Sequence, residues 1–170
     1  MMNFKGQVWI ETVLYTLIGL ALIGLVLGFV TPKINESKDR AVIEQTIESL
    51  RVFDEKIQRV LDAGQGNVRN IDFNIKRGEL IIDGPGDKIE IVLKGLEEPY
   101  SEVGESVSIG KVINVSTEKE QKKYSVNLTL SYSSIDILGD SVRKFSPVSV
   151  PYKFSVSNLG GGQIDIRERA

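Results

Sequence analysis

The stretch that decides the fold is VLYTLIGLALIGLVLGFV, residues 13–30. Its 18 consecutive uncharged residues reach the length at which a membrane-spanning helix is the default interpretation. Twelve of them are Leu, Ile, Val or Phe. Together these contribute roughly −4 to −7 kcal/mol to membrane insertion, against about +3 kcal/mol for one acidic residue at mid-membrane. We therefore expect the segment to insert although Glu11 lies at its edge.

Charge is distributed unevenly along the 170 residues, which include 21 Lys+Arg and 23 Asp+Glu and carry a formal net charge of −2. Residues 1–32 contain only Lys5 and Glu11, so nearly all charges lie from residue 33 onward. The chain thus joins an apolar segment to a highly charged one. Its acidic balance argues against a nucleic-acid partner, because phosphate binding needs a net basic face.

The absence of Cys and His narrows the kinds of catalytic and metal site that the chain can form. The chain has no Cys, which excludes disulfides, thiolate metal sites and a cysteine nucleophile. It has no His, which excludes an imidazole base, a Ser-His-Asp triad and histidine-ligated metals. We expect no catalytic residues, no metal site and no cofactor, and hence a protein that is not an enzyme.

A cleaved secretory signal is the alternative interpretation of the apolar segment. Its run exceeds the usual 7 to 15 residues and no small-x-small cleavage site follows, so we expect it to stay attached. Basic residues flank both ends of the apolar segment, so the positive-inside rule does not decide its orientation in the membrane. Three N-x-Ser/Thr triplets, at Asn35, Asn114 and Asn127, are candidate glycosylation sites. All follow the span, which favours an extracytoplasmic C-terminal part.

The residues before the span read KGQVWIE, from Lys5 to Glu11. This pattern resembles the class III signal of archaeal type IV pilins and archaellins. The resemblance implies that a prepilin peptidase cuts after Gly6, leaving Gln7 as the first mature residue. Bacterial pilins usually begin with phenylalanine after the cut, so Gln7 and the preceding Lys5 favour the archaeal branch.

Glu11 is the most informative charge in this region. A carboxylate among packed apolar helices is costly unless it is paired, and ionisable residues in such segments are functional candidates. The pilin resemblance implies that it pairs with the N-terminal amine of a neighbouring subunit and sets axial register during assembly. The alternative places Glu11 at the headgroup level of a simple signal anchor, with Trp9 and Tyr15 as interface anchors.

Small residues form a stripe on the apolar segment at Ala21, Gly24 and Gly28. Such a stripe lets helix backbones approach closely, in membrane dimers or in the core of a filament. Because glycine is common in membrane helices, the stripe alone does not choose between a contact and ordinary composition. Pro32 predicts a kink, a local interruption or a boundary between two helices.

Residues 33–63 predict an amphipathic helix. Ile43, Ile47, Leu50, Ile57 and Leu61 follow one face, with Phe53 and Val60 adjoining it. We expect this face to pack on the C-terminal part of the chain. A free-standing coiled coil is the less favoured alternative, because the stripe is short and the sequence GQGN at 64–67 ends it.

After residue 66 the apolar period changes to two, which predicts strands. Six or seven antiparallel strands in a small β-sandwich-like head give an α+β fold in which a long hydrophobic-then-amphipathic helix comes first. The predicted organisation is a leader at 1–6, a helix at 7–63 with a span at 7–30 and a stalk at 33–63, and a β-strand head at 64–170. The predicted strands cover 71–75, 80–82, 89–93, 107–115, 124–132, 148–156 and 164–166.

Loops in the β-strand part offer weak candidates for chemistry. The DGPGD loop at 83–87 lacks EF-hand ligand spacing and the P-loop Lys-Ser/Thr, so it predicts a hairpin turn. The glycines at 160–162 predict a turn, and the charged run at 118–123 predicts a solvated hairpin tip. Asp136, Asp140 and Asp165 are interpreted as surface residues.

Three functional classes fit these observations unequally. The favoured one is a structural subunit of a type IV pilus-like surface filament, with the membrane, its own copies, a prepilin peptidase and the pilus assembly machinery as partners. It would start as a membrane-anchored precursor and end in an extracellular filament. The second is a signal-anchored extracytoplasmic binding or stator-type protein. The third, a membrane-tethered hydrolase using two carboxylates, is the least favoured.

Overall fold

The structure is a computed structural model that describes residues 4–169, with side chains described from Val8 onward. The chain forms two compact units, Met1–Lys38 and Asp39–Ala170. They are called the first and the second unit below. One helix, α1, runs from Phe4 to Asp62, so its last 24 residues belong to the second unit.

The first-unit part of α1 is built from strong helix formers, chiefly Leu, together with Ile and Val. Its threonines bond back to the preceding turn, as Thr12 Oγ1 does to the Val8 carbonyl at 2.9 Å and Thr31 Oγ1 to the Leu27 carbonyl at 2.7 Å. These bonds satisfy hydroxyls on an otherwise apolar helix. The helix continues through Pro32, so that residue is not a boundary between two helices.

The second-unit part of α1 is amphipathic, as its apolar period predicts. Steps of three and four residues place one side of the helix in the core, and Leu61 at its end is half-buried. The opposite side is solvated and carries pairs such as Arg40 with Glu44 at 3.2 Å. The buried side chains on this part are Ile43, Ile47, Leu50, Phe53, Ile57 and Val60.

The helix ends where the glycines predict. Gly64 has φ +88° and Gly66 has φ +85°, a left-handed backbone conformation that glycine adopts without steric cost. Asn67 Nδ2 donates to the Ala63 carbonyl at 2.6 Å and so satisfies a group at the helix end. The chain then enters the strands.

Ten strands form two sheets. The six-stranded sheet has the order β4-β5-β6-β3-β2-β8 and is antiparallel throughout. The four-stranded sheet has the order β1-β9-β10-β7, in which only the β10–β7 pair is parallel. The strands are β1 Val68–Phe73, β2 Glu79–Asp83, β3 Lys88–Leu96, β4 Ser106–Ile109, β5 Ile113–Glu120, β6 Lys123–Ser131, β7 Asp136–Leu138, β8 Val142–Phe145, β9 Tyr152–Gly160 and β10 Gln163–Arg169.

The structure has ten strands where six or seven were predicted, and the predicted bounds were wrong in several places. The segment 107–115 is not one strand, because Gly110, with φ +70°, lies in a turn between β4 and β5. Val148 and Val150 precede β9 in an exposed loop between two prolines, which cannot donate ladder hydrogen bonds. The short strands β7 and β8 were not predicted.

A single core joins both sheets to the second-unit part of α1. Phe53 on the helix lies 5.6 Å from the Phe73 ring and 6.1 Å from the Phe154 ring, between centroids. Apolar side chains alternate along the strands, so one face of each sheet is buried and the other is outward. The α+β class is confirmed: a long N-terminal helix precedes a mostly antiparallel, two-sheet β domain.

Candidate functional site

The helix of the first unit exposes large apolar side chains over most of its length. Sixteen large apolar side chains between Val8 and Val30 are 39–74% exposed. Within the described residues, one helix is long and apolar enough to cross a membrane, and none of its apolar window is buried in this chain. At about 1.5–3 kcal/mol per side chain, covering this surface is worth on the order of tens of kcal/mol. Contact with lipid or with other apolar helices would therefore be strongly favourable, and the helix is compatible with a membrane anchor or a signal sequence.

Glu11 lies on this apolar helix and is exposed within the single chain. Lys5, Gly6 and Gln7 have helical backbone, but their side chains lie outside the part that the structure describes. Among the side chains described from Val8 onward, no basic group pairs with Glu11. An ionisable residue on such an apolar helix is a functional candidate.

The small-residue stripe is open to approach. A Cβ placed on Gly24 or Gly28 would meet no atom within 4 Å, and the same holds at Gly19. Packing inside this chain therefore does not require these glycines. Ala21, Gly24 and Gly28 leave a shallow backbone surface that a second helix can approach.

Asp39, the first residue of the second unit, has a role that the sequence did not indicate. It is 7% exposed, and its carboxylate accepts hydrogen bonds from Arg77 Nη1 at 2.5 Å and from the Glu97 amide at 2.8 Å. Arg77 Nη2 also donates to the carbonyls of Lys94 and Gly95 at 3.0 and 2.9 Å. This network attaches the first turn of the second-unit helix to the end of β3.

A second, partly buried polar contact joins the helix to the residue that follows β6. Tyr132 Oη donates to Asp54 Oδ1 at 2.8 Å. Burial, reinforced by this hydrogen bond and by the Asp54 charge, raises the pKa of Tyr132 far above its ordinary value of 10. The phenol therefore stays protonated over the whole physiological range, and its role here is structural.

The three candidate glycosylation sites occupy different surroundings. Asn35 lies on α1 in the first unit and is half-buried. Asn114 on β5 lies opposite Thr129, and Ser116 lies opposite Asn127 on β6, so the two strand triplets are side by side on the outward face of the six-stranded sheet. Their juxtaposition follows from strand register, which the triplets themselves do not indicate.

The weak loop candidates are turns. Residues 83–87 connect β2 to β3, and the Gly86 amide donates to Asp83 Oδ1 at 3.0 Å. Asp87 Oδ1 accepts from the Ile137 amide at 2.8 Å, which ties this turn to β7. Residues 160–162 connect β9 to β10, and 118–123 contain the β5–β6 hairpin tip, as predicted.

Of the three aspartates interpreted as surface residues, Asp136 and Asp140 are exposed, but Asp165 is only 7% exposed, so the interpretation was wrong for Asp165. Asp165 pairs with Arg167 at 2.5 Å, and Asp136 accepts from Gln163 Nε2 at 2.8 Å. Asp140 is exposed in the segment between β7 and β8. Within residues 4–169 as described, no group of three or more acidic side chains is arranged to hold a metal ion.

The second unit contains an apolar groove and a more polar concavity. A groove of about 370 Å³ runs between α1 and the edge strand β1, lined by apolar atoms of Val42, Val52 and Phe73. Lys76 Nζ donates to Gln45 Oε1 at 3.3 Å at its rim. A more polar concavity of about 480 Å³ lies beside Tyr132 and Lys111. The lining of the groove also includes Glu48 and Asp72, and that of the second concavity includes Ser133 and Ser134.

Comparison with protein-family models, with curated proteins and with solved structures gave no match in any of the three.

Proposed function

We propose that the chain is a structural subunit of a type IV pilus-like surface filament. In this proposal a prepilin peptidase cuts the precursor after Gly6, and the mature subunit assembles through its apolar helix. The second unit faces the outside of the filament. The observation that carries the proposal is the exposed apolar helix on a chain whose second unit already has a closed core.

The closed core supports an assembly role for the helix. The 27 buried apolar residues of the core begin at Ile43, so none comes from residues 8–30. The second unit therefore has a core of its own. An apolar helix joined to such a unit suits a segment that first sits in a membrane and later packs against copies of itself.

Glu11 and the small residues favour packing between helices over simple anchoring. A lipid-facing anchor gains nothing from a carboxylate within its apolar helix, since ionised acids are unfavourable there. In a filament the same carboxylate can pair with the amine of Gln7 in a neighbouring subunit, which only cleavage after Gly6 creates. The open surface at Gly24 and Gly28 accommodates the close helix contacts that such packing requires.

The alternative is a signal-anchored extracytoplasmic binding or stator-type protein. The same helix would serve it as an anchor, and the two concavities in the second unit are compatible with a binding role. This alternative needs neither cleavage before Gln7 nor an assembly function for Glu11. The two functions therefore differ in measurable ways at those residues.

The test is expression of variants in a host that carries the archaeal processing and assembly proteins. Gly6→Val should block cleavage, so the product keeps its six leader residues and no filaments form. Gly19→Val is the matched control, because it puts the same side chain on the same helix outside the KGQ pattern. It should leave cleavage intact. Antibodies against the second unit, with mass spectrometry, would follow the cleaved and uncleaved chains.

Glu11 tests assembly separately from processing. Glu11→Ala and the isosteric Glu11→Gln should both be cleaved normally but yield at least about tenfold fewer sheared filaments, because both lose the charge. Glu11→Asp keeps the charge and should retain part of the yield. Normal filament yield from Glu11→Gln, or normal yield from an uncleaved Gly6→Val chain, would overturn the proposal.

A further inference from the structure

Six outward side chains on β4, β5 and β6 form a regular array, called the neutral grid below. One row runs Ser106, Ser116, Asn127 and the other runs Ser108, Asn114, Thr129, each residue lying directly opposite the next across paired strands. The buried residues of β5 and β6 alternate with these positions, so the grid lies on the outward face. Every position carries a short hydroxyl or amide side chain.

The rest of the outward surface is strongly charged. On the four-stranded sheet, β1, β9 and β10 share three outward rows, and five of the nine residues in these rows are charged. The far half of the six-stranded sheet is charged as well, with Lys88 bonded to Glu90 at 2.9 Å. The grid ends where β3 begins, at Val92 and Glu90. Charged residues make up 26% of the chain, whereas none of the six grid residues is charged.

Most hydrogen-bonding groups of the grid are available. Ser108 Oγ donates to Asn114 Oδ1 at 2.7 Å. In the described part of the chain, the side chains of Ser106, Ser116, Asn127 and Thr129 have no hydrogen bond to another protein group. Ser106 and Ser108 are exposed, and the other four are half-buried. The grid therefore presents hydroxyl and amide groups that a ligand can reach.

Strand stability does not explain this composition. Asn is disfavoured in strands, and Ser lacks the branched or aromatic side chain that a pleated surface favours. Thr129 is the one grid residue with a high strand preference. Val, Ile or Tyr at the other positions would pack better against their cross-strand neighbours. The composition of the grid is therefore not the one that strand preference alone favours.

The chemistry of the grid selects among partners. Nucleic acid needs a basic face, and the grid has no cation. A protein partner needs an apolar or aromatic centre, which the grid also lacks. A neutral polyhydroxylated polymer matches it, because sugar hydroxyls exchange hydrogen bonds with amides and hydroxyls and supply no counter-charge. We propose that the neutral grid binds a neutral polysaccharide.

This proposal does not depend on the filament function or on glycosylation of the chain. Asn114 and Asn127 belong to N-x-Ser/Thr triplets, and a glycan attached there would cover the grid itself. A free polysaccharide instead binds the unmodified side chains. Protein made in a host without N-glycosylation, with its intact mass checked, separates the two situations.

The experiment is affinity electrophoresis of the full chain in micelles of a phosphocholine detergent. Detergents with sugar headgroups are avoided because they would compete for the grid. Gels contain dextran, mannan or galactan as neutral probes, or polygalacturonate as the anionic control. The expected result is retardation by at least one neutral polysaccharide, with a Kd of about 1 mM or tighter, and no retardation by polygalacturonate.

Variants locate the contact. Ser108→Glu and Ser106→Lys place opposite charges on the exposed edge strand, where folding is least affected, and each should weaken retardation at least tenfold. Ser155→Glu makes a matched change on the outward face of the four-stranded sheet and should not alter it. Thermal unfolding checks that all three fold. Absence of retardation by every neutral probe, equal loss with Ser155→Glu, or binding only to polygalacturonate would overturn the proposal. So would a dimer that the grid variants abolish without any retardation.

Discussion

Replacing Asp39 by Asn tests how the second unit holds the first turn of its helix. The change keeps the shape of the side chain but removes the charge that accepts hydrogen bonds from Arg77 and from the Glu97 amide. Breaking a fully buried ion pair costs about 3–5 kcal/mol of unfolding free energy. The Arg77 side chain is 35% exposed and recovers some hydration, so we expect roughly 2–3 kcal/mol.

A double-mutant cycle isolates the pair. Arg77→Met alone and together with Asp39→Asn gives the coupling energy, which we expect at about 1–2 kcal/mol because one partner is buried. The control cycle uses Glu55 and Arg59, which pair at 3.5 Å with both side chains 64% exposed. Exposed pairs at this spacing contribute about 0.3–0.5 kcal/mol.

Urea unfolding of the full chain in micelles is the assay. The only tryptophan, Trp9, lies in the first unit, so its fluorescence does not report on the second. Circular dichroism of the sheets and tyrosine absorbance follow the second unit instead. If the coupling of Asp39 with Arg77 is no larger than that of Glu55 with Arg59, the assigned role of the buried network is wrong.

Two further predictions concern the packing between helix and sheets. Phe53→Ala should lower the unfolding free energy by about 3–5 kcal/mol, because Phe53 is fully buried between two aromatic rings, whereas Val52→Ala, at a 43% exposed position, should cost less than about 1 kcal/mol in the same urea titration. Similar losses for the two variants would contradict the packing described. Tyr132→Phe should cost about 1–3 kcal/mol at pH 7 by removing the hydrogen bond to Asp54. Because the folded-state pKa of Tyr132 is raised above 10, its contribution is complete below pH 10 and is lost as the pH rises further, so the difference between wild type and variant should shrink between pH 10 and pH 11.5. A difference that stays constant over that range would refute the assignment.

Much of the helix could be predicted because its determinants are local. The uncharged run at 13–30 predicted the apolar segment. The spacing of three and four residues between Ile43, Ile47 and Leu50 predicted the buried side of the second-unit helix. The glycines at 64 and 66 gave its end. Each of these signals depends on residues within one or two turns of each other.

The remaining features depend on residues far apart in the chain. The strand β7 has three residues and becomes a strand only by pairing with β10, which follows it by more than twenty residues. Gly84 is needed because a Cβ there would lie 2.3 Å from the Gly139 carbonyl oxygen, which no local pattern indicates. In the sequence, Asp39 is one of many charged residues on the helix, and only the fold places Arg77 beside it. Local patterns carry no information about such contacts.

The candidate sites also differ in whether they depend on a local sequence pattern or on contacts that the fold creates. The processing residues Lys5, Gly6 and Gln7 were suggested by a short contiguous pattern, and they stay a prediction. The neutral grid could not be suggested from the sequence, because its two rows exist only through the register of three strands. Asn114 and Asn127 were noticed individually, and the fold alone made them neighbours.

The most direct test of the filament account is mass spectrometry of the N-terminus of the native protein, taken from filaments sheared off the cell surface. The account predicts chains that begin at Gln7, concentrated in the sheared fraction. Chains that retain the leader residues through Gly6 and are found only in dispersed form in the membrane would contradict it.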